Sequence, residues 1–163
     1  MSAVPNSVHL SGGCQCGAVR YRLLSKPTEP SICHCRMCQK AFGNYIAPLA
    51  GVKRADLVWT RGRPGSFRSS EAVERGFCRD CGTPLYYSVL EIDRISISIG
   101  SLDEPDRVEP VMQYGIENRR PAFARLHELP EETTEAGTGP ELLARMKSRQ
   151  HPDHDTETWP PAA

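Results

Sequence analysis

Cys14-Gln15-Cys16-Gly17 and, about sixty residues later, Cys78-Arg79-Asp80-Cys81-Gly82 are the stretches on which the fold turns. Each is a short chelating turn that presents two thiols. Zinc asks for four ligands in a tetrahedron, with sulfur at about 2.3 Å, and two such turns meet that demand while stapling distant parts of the chain together. Gly17 and Gly82 follow the pairs directly. A residue there needs positive φ if backbone N–H groups are to face the sulfurs, and glycine adopts it at little steric cost. The alternative is four reduced cysteines packed in a core, but two spaced pairs with the same trailing glycine favour metal. A closed tetrahedron leaves no position for a substrate, so Cys14, Cys16, Cys78 and Cys81 are expected to hold a structural zinc.

Outward from these turns the chain reads as short strands and breaks. Residues 8–10, a Gly-Gly turn and residues 17–24 make a predicted strand, turn and strand. Pro27 and Pro30 punctuate a loop that delivers residues 32–35. A short helix is predicted over 36–42, ended by Gly43. Further strands are predicted over 45–49, 57–60, 66–69, 73–77 and 85–89. Residues 93–100 carry the clearest half-buried pattern, with Ile95, Ile97 and Ile99 alternating with serines, and 111–116 is a weaker last strand. Beyond Leu129 the sequence turns polar, with a short amphipathic helix expected within 140–148 and disorder over 150–163. The expected fold is therefore mainly β and antiparallel with short helices, a domain over residues 1–130 followed by a polar tail over 131–163.

Cys33-His34-Cys35-Arg36-Met37-Cys38 supplies three more thiols within six residues. In an extended lead-in Cys33 and Cys35 share one side while His34 points away, and a helix starting near Cys35 turns Cys38 toward the same point. Three thiolates can then converge on one metal with a fourth position open, which separates a catalytic zinc from a structural one. Zinc with three thiolates has a net negative charge and suits a soft sulfur ligand, which points to a thiol substrate. Arg36 and Lys40 on the short helix are expected to offset part of that charge. Other readings are a Cys35–Cys38 redox pair, a second structural zinc completed by His34 or a distant histidine, or three buried thiols.

The composition narrows the function classes. The 163 residues carry 20 basic and 20 acidic side chains, so no global field draws the chain onto nucleic acid or anionic lipid. No stretch is apolar enough to span a membrane, and residues 1–13 lack the basic start and apolar run of a secretory signal. A cytoplasmic protein is expected, and seven cysteines in a reducing compartment point to metal rather than disulfides.

GGCQCGAVRY, CHCRMCQKAFG, FCRDCGTPLYY and the later GSLD, in this order, resemble the glutathione-dependent formaldehyde-activating enzyme family, which also includes centromere protein V. The resemblance spans roughly residues 10–130. It implies an Mss4-like β fold with two zincs, the structural one on Cys14, Cys16, Cys78 and Cys81 and the catalytic one on Cys33, Cys35 and Cys38. The activity it implies joins formaldehyde to glutathione to give S-hydroxymethylglutathione, a carbon–sulfur lyase reaction. The family's histidine and Pro-Trp near the end of the domain are replaced here by Gln113-Tyr114-Gly115-Ile116 and Pro121-Ala122-Phe123, a departure that bears on the substrate more than on the zinc sites. The partners expected are a small thiol and an aldehyde, with neither nucleic acid nor membrane. The rival reading is a non-catalytic zinc scaffold that binds a partner.

Several other residues have both a functional and a plain reading. Tyr45 and Asp103 are candidates for proton transfer, but a strand residue and a turn former are the plainer readings. His151-Pro152-Asp153-His154-Asp155 looks like a metal clamp, yet a polar tail favours a solvated segment. Trp59 and Phe67 read as core, and Arg107, Arg119, Arg120 and Arg125 as charged surface that could bind a carboxylate-rich substrate.

Overall fold

The computed structural model describes residues 9–160. Among them, β1 (Leu10–Gly13), β2 (Arg20–Leu23), β3 (Thr28–Cys33), β4 (Ala47–Lys53), β5 (Leu57–Arg61), β6 (Gly65–Arg68), β7 (Val73–Phe77), β8 (Pro84–Val89), β9 (Arg94–Ser98) and β10 (Met112–Tyr114) form two sheets. One runs β1-β2-β5 and the other β10-β3-β4-β9-β8-β7-β6. Every pairing is antiparallel except β10 with β3, which is parallel. The helices are short: α1 (Arg36–Phe42), α2 (Thr134–Gly137) and α3 (Pro140–Arg145). The mainly β, antiparallel class expected from the alternation is the one observed. No helix among the described residues is long and apolar enough to cross a membrane.

The core follows from strand alternation. Ile95 and Ile97 turn inward from β9 and join Leu10, Tyr21, Leu23, Val52 and Leu85, with Cys14 and Cys78 at its edge. Burying an aliphatic side chain of this size stabilises by about 1.5–3 kcal/mol. Tyr21 is fully buried, and its hydroxyl is matched by Ser101 Oγ at 2.8 Å.

Three local expectations are corrected. Gly12 and Gly13 continue β1 rather than breaking it, because a Cβ on Gly12 would collide with the Ser101 carbonyl and the Tyr21 ring. β3 runs through Pro30, where the sequence predicts a loop. The proline falls in the register shift between Thr28 and Ser31, where it forfeits no ladder bond. Tyr45 precedes β4 and is exposed, so it is not a strand residue. Helix α1, by contrast, has the bounds that Cys35 and Gly43 imply. Cys35 is its N-cap, and Gly43 closes it at φ +57°.

The tail does not match its expectation. His151 is buried, its N–H donates to the Gln15 carbonyl at 2.9 Å, and its ring stands edge-on to Trp159. Asp155 bridges Arg20 and Arg22, and Arg61 donates to the Thr156 carbonyl. Residues 150–160 thus lie back on the first cysteine turn, because two arginines on one face of β2 and a third on β5 give the acidic segment something to pair with. The expectations that fall on residues 1–8 and 161–163 lie outside the described residues.

Candidate metal centres

The first centre gathers Cys14, Cys16, Cys78 and Cys81, whose sulfurs lie within 4.8 Å of one another. Its two turns are built alike. Cys14 N–H donates to the Val19 carbonyl and Cys78 N–H to the Thr83 carbonyl, each at 2.9 Å, and the N–H of Gly17 or Gly82 returns to the first cysteine's carbonyl at 3.0 Å. Both glycines sit at positive φ, +74° and +78°. The sulfurs of Cys14 and Cys16 are 3.5 Å apart and those of Cys16 and Cys78 3.7 Å. A tetrahedron with bonds of about 2.3 Å has edges of about 3.8 Å, so the donor set fits zinc in type and spacing.

The turns also supply the electrostatics that four thiolates need. Val19 N–H reaches Cys14 Sγ at 3.2 Å, Asp80 N–H reaches Cys78 Sγ at 3.4 Å, and the Thr83 hydroxyl lies 3.1 Å from Cys81 Sγ. Burial pushes the Cys16 thiol up to about 12 and raises Cys78 as well. Burial acts the same way on Cys81, but hydrogen bonds from Thr83 outweigh it and hold that thiol down to about 6. A dication displaces the shared protons from such a set, so its affinity for metal rises with pH.

The second centre joins Cys33, Cys35 and Cys38, again with the sulfurs within 4.8 Å of one another. Cys33 ends β3 and is paired on both sides, with Ala47 of β4 and Tyr114 of β10. Cys35 caps α1 and accepts the Cys38 N–H at 3.4 Å. Gly115, at φ +63°, lets the next segment close over this turn, since a Cβ there would come within 2.8 Å of Cys35 N. Hydrogen bonding from Cys33 is the main reason Cys38 falls to about 5; burial opposes it and Arg75 adds to it, while Cys33 itself is pushed up. No fourth histidine, cysteine or carboxylate joins the group among the described residues. His34 is not a donor to it: its ring is fully buried, with Nε2 at 2.9 Å from Gln113 Oε1 and Phe123 edge-on.

Arg75 is the neighbour that the sequence reading missed. It projects from β7 into the protein with 7% exposure, and both terminal nitrogens face Cys38 Sγ, at 3.6 and 3.5 Å. A charged residue inside a five-residue strand looks like surface; its shared parity with the buried Val73 was the available signal. Arg36 and Lys40, expected to balance the cysteines, are exposed. They line a groove of about 850 Å³ with Gln39, Gly43, Asn44, Tyr45 and Arg120. Gln39 ties this wall together, donating to the His34 and Asn118 carbonyls at 2.7 and 2.9 Å and accepting from Arg120 Nε at 2.9 Å. Asp103 lies away from this centre, buried against Arg20, in the structural role that a turn former suggests.

The profile of the glutathione-dependent formaldehyde-activating enzymes matches residues 9–118, which takes in both cysteine groups. The chain belongs to that family. An uncharacterized lyase of Schizosaccharomyces pombe is 29% identical over 77 residues, covering 47% of this chain and 56% of the yeast protein. A Halomonas elongata protein, provisionally named a glutathione-dependent formaldehyde-activating enzyme, is 32% identical over 87 residues, covering 47% and 54%. The chain thus spans about half the length of the curated relatives it matches. A crystal structure from Rhodobacter sphaeroides superposes with a TM-score of 0.52 at 23% identity over 63% of this chain and 98% of that one, a likeness of fold.

Proposed function

We propose that the chain is a zinc-dependent carbon–sulfur lyase acting on a thiol of the glutathione kind and an aldehyde such as formaldehyde. The observation that carries this reading is the convergence of three cysteine sulfurs without a fourth protein donor among the described residues. In this reading Cys14, Cys16, Cys78 and Cys81 hold a structural zinc, and Cys33, Cys35 and Cys38 hold a second one with a position left for substrate. That zinc, when bound, supplies a Lewis acid with a preference for sulfur. Residues 131–163 are proposed to be an appendage to the catalytic domain, and a reducing compartment such as the cytosol to keep the seven cysteines as thiols.

The remaining work falls to the chain. Arg36, Lys40 and Arg120 line the groove without a carboxylate partner among the described residues, so they can receive the carboxylates of an acidic thiol. In this scheme the thiol sulfur reaches the Cys33–Cys38 turn and is held there against the aldehyde carbon. The C–S bond forms as the C=O π bond opens, and the proton lost by sulfur ends on the former carbonyl oxygen. Tyr45, exposed in the same groove, carries that proton in this scheme. The reverse sequence releases thiol and aldehyde.

The test is exchange spectroscopy by NMR on glutathione and formaldehyde with the zinc-loaded protein. Acceleration of adduct exchange over the uncatalysed rate, abolished by Cys35→Ser and accompanied by loss of one zinc, supports the lyase. A two-zinc protein that leaves the rate unchanged removes it. That result would favour a non-catalytic zinc module, a reading that rests on the exposed apolar run of Val111, Met112, Tyr114 and Ile116 at β10.

A further inference from the structure

We infer that Arg75 is a positioning residue of the three-cysteine centre: its guanidinium orients the Cys38 sulfur and makes the loaded centre neutral. The inference rests on the reading of Cys33, Cys35 and Cys38 as metal ligands and adds a residue outside the cysteine motifs.

The argument starts from the cost of burying a guanidinium, a charge that is strongly unfavourable inside a protein unless an anion and hydrogen bonds answer it. Two arginines among the described residues are buried, Arg20 at 3% exposure and Arg75 at 7%. Arg20 is answered by two carboxylates, Asp103 at 2.5 Å and Asp155 at 2.8 Å. Arg75 forms no ion pair with a carboxylate among the described residues. Its Nε donates to Ser69 Oγ at 3.1 Å, Tyr87 lies under its plane at 5.0 Å, and both remaining nitrogens face one atom, Cys38 Sγ. Neither a hydroxyl nor a ring face carries a full negative charge. Among the described residues, Cys38 Sγ is the one atom placed to carry the balancing negative charge.

The balance matters most when the site is loaded. A dication with three thiolates is one charge negative, and a further thiolate arriving from substrate would make it two. Arg75 cancels the first of these charges at close range in a dry setting. Arg36 and Lys40, exposed on the groove, are screened by water and do so far less. The position is also rigid: Arg75 pairs across the sheet with Tyr87 of β8 and Phe67 of β6, so its fork is held at a fixed height over Cys38. Two hydrogen bonds to one sulfur also fix the direction of its lone pairs, as partners behind metal ligands generally do.

The test uses cobalt(II) in place of zinc in the full chain, with Arg75→Gln and Arg75→Lys beside the wild type. Arg75→Gln is expected to weaken the second metal about 10- to 100-fold in chelator competition while leaving the first unchanged. Its sulfur-to-cobalt charge-transfer band should move to lower energy, because a thiolate relieved of two hydrogen bonds gives up its electrons more readily. Arg75→Lys retains the charge and is expected to recover most of the affinity but only part of the band position, a split that a purely structural role would not produce. Equal second-site affinity and an unmoved band in a folded Arg75→Gln overturn the inference and leave the lyase reading intact. Should Arg75→Gln fail to fold, an unmoved band in Arg75→Lys overturns it. A wild-type chain that takes up only one cobalt overturns the metal reading beneath it, and the inference with it.

Discussion

Asp155 accepts from Arg20 at 2.8 Å through one oxygen and from Arg22 at 2.9 Å through the other, tying the far end of the chain to strand β2. Arg20 in turn grips Asp103 through both terminal nitrogens, at 2.7 and 2.5 Å, and Asp103 accepts from Ser11 of β1. A single buried guanidinium therefore joins the tail, β2 and the loop after β9. Beside it, His151 and Trp159 cover Gly17, where no side chain would fit.

The two carboxylates on Arg20 should differ sharply in weight. The side chain of Asp155 is 37% exposed and that of Asp103 only 7%. Asp155→Asn is expected to cost about 1 kcal/mol, as for a solvent-screened pair, lowering the melting temperature by about 2–4 °C. Asp103→Asn leaves a buried charge half answered and is expected to cost about 3–5 kcal/mol. Thermal unfolding of the zinc-loaded variants measures both, and equal costs would contradict the assignment of Asp103 as the structural partner.

The tail should also loosen in acid, in two stages. Burial, then the charges of Arg20 and Arg61, hold the His151 imidazole below its ordinary value, despite the hydrogen bond with the Pro152 carbonyl and the charge of Asp103. The unfolded tail then binds its proton first, so docking weakens as pH falls below about 6.5 toward the lower docked value. Burial would raise the Asp155 carboxyl, but hydrogen bonds and charge from Arg20 and Arg22 outweigh it and lower the carboxyl. Its contribution is whole above about 3.9 and is lost as pH falls through the docked value. Trp159 fluorescence in a Trp59→Phe background follows the first stage between about pH 7.5 and 5, and His151→Asn should flatten it.

The docked tail marks where the sequence could not be read, whereas much of the site could. Cys35 followed by a short helical run and Gly43 announces α1 because capping and the left-handed stop are local chemistry. The two cysteine turns announce themselves because ligand spacing is local too. Arg75, Asp155 and Pro30 lacked such signals. An arginine in a strand looks alike whether it meets solvent or sulfur, and an acidic tail looks disordered until two arginines of one strand face are known to await it. Their roles come from pairings across 37, 135 and 133 residues. Pro30 misled differently, because its place in a strand depends on a register shift that only the partner strand creates.

The two metal centres should separate on mutation. The four-cysteine centre joins the turn between β1 and β2 to the turn between β7 and β8, so a metal bound there would hold two sheets together. Structural zinc in small domains contributes about 10–16 kcal/mol, comparable to the whole stability of a domain. Cys81→Ser is therefore expected to yield an unfolded or aggregated chain. Cys38→Ser removes a ligand from a turn already pinned by β3, β4 and β10, and is expected to give a folded chain with one zinc. Metal content by mass spectrometry with circular dichroism reads both; a folded Cys81→Ser chain lacking zinc would show that the first centre is not structural.

Gly115 tests the geometry of the second centre without touching a cysteine. Its φ of +63° strains any residue with a side chain, and an added Cβ would meet Cys35 at its N, Cα and Cβ, all within 3.1 Å. Those atoms belong to the cap of α1, which cannot yield as a flexible side-chain tip would, so the turn must shift. Gly115→Ala should cost about 1–3 kcal/mol in thermal unfolding and displace the Cys35 sulfur relative to Cys33 and Cys38. The second zinc should then be lost to a chelator at lower concentration than in the wild type, with the first zinc unaffected. Destabilisation with normal retention of the second zinc would mean that the segment after β10 supports the fold but does not set the position of Cys35.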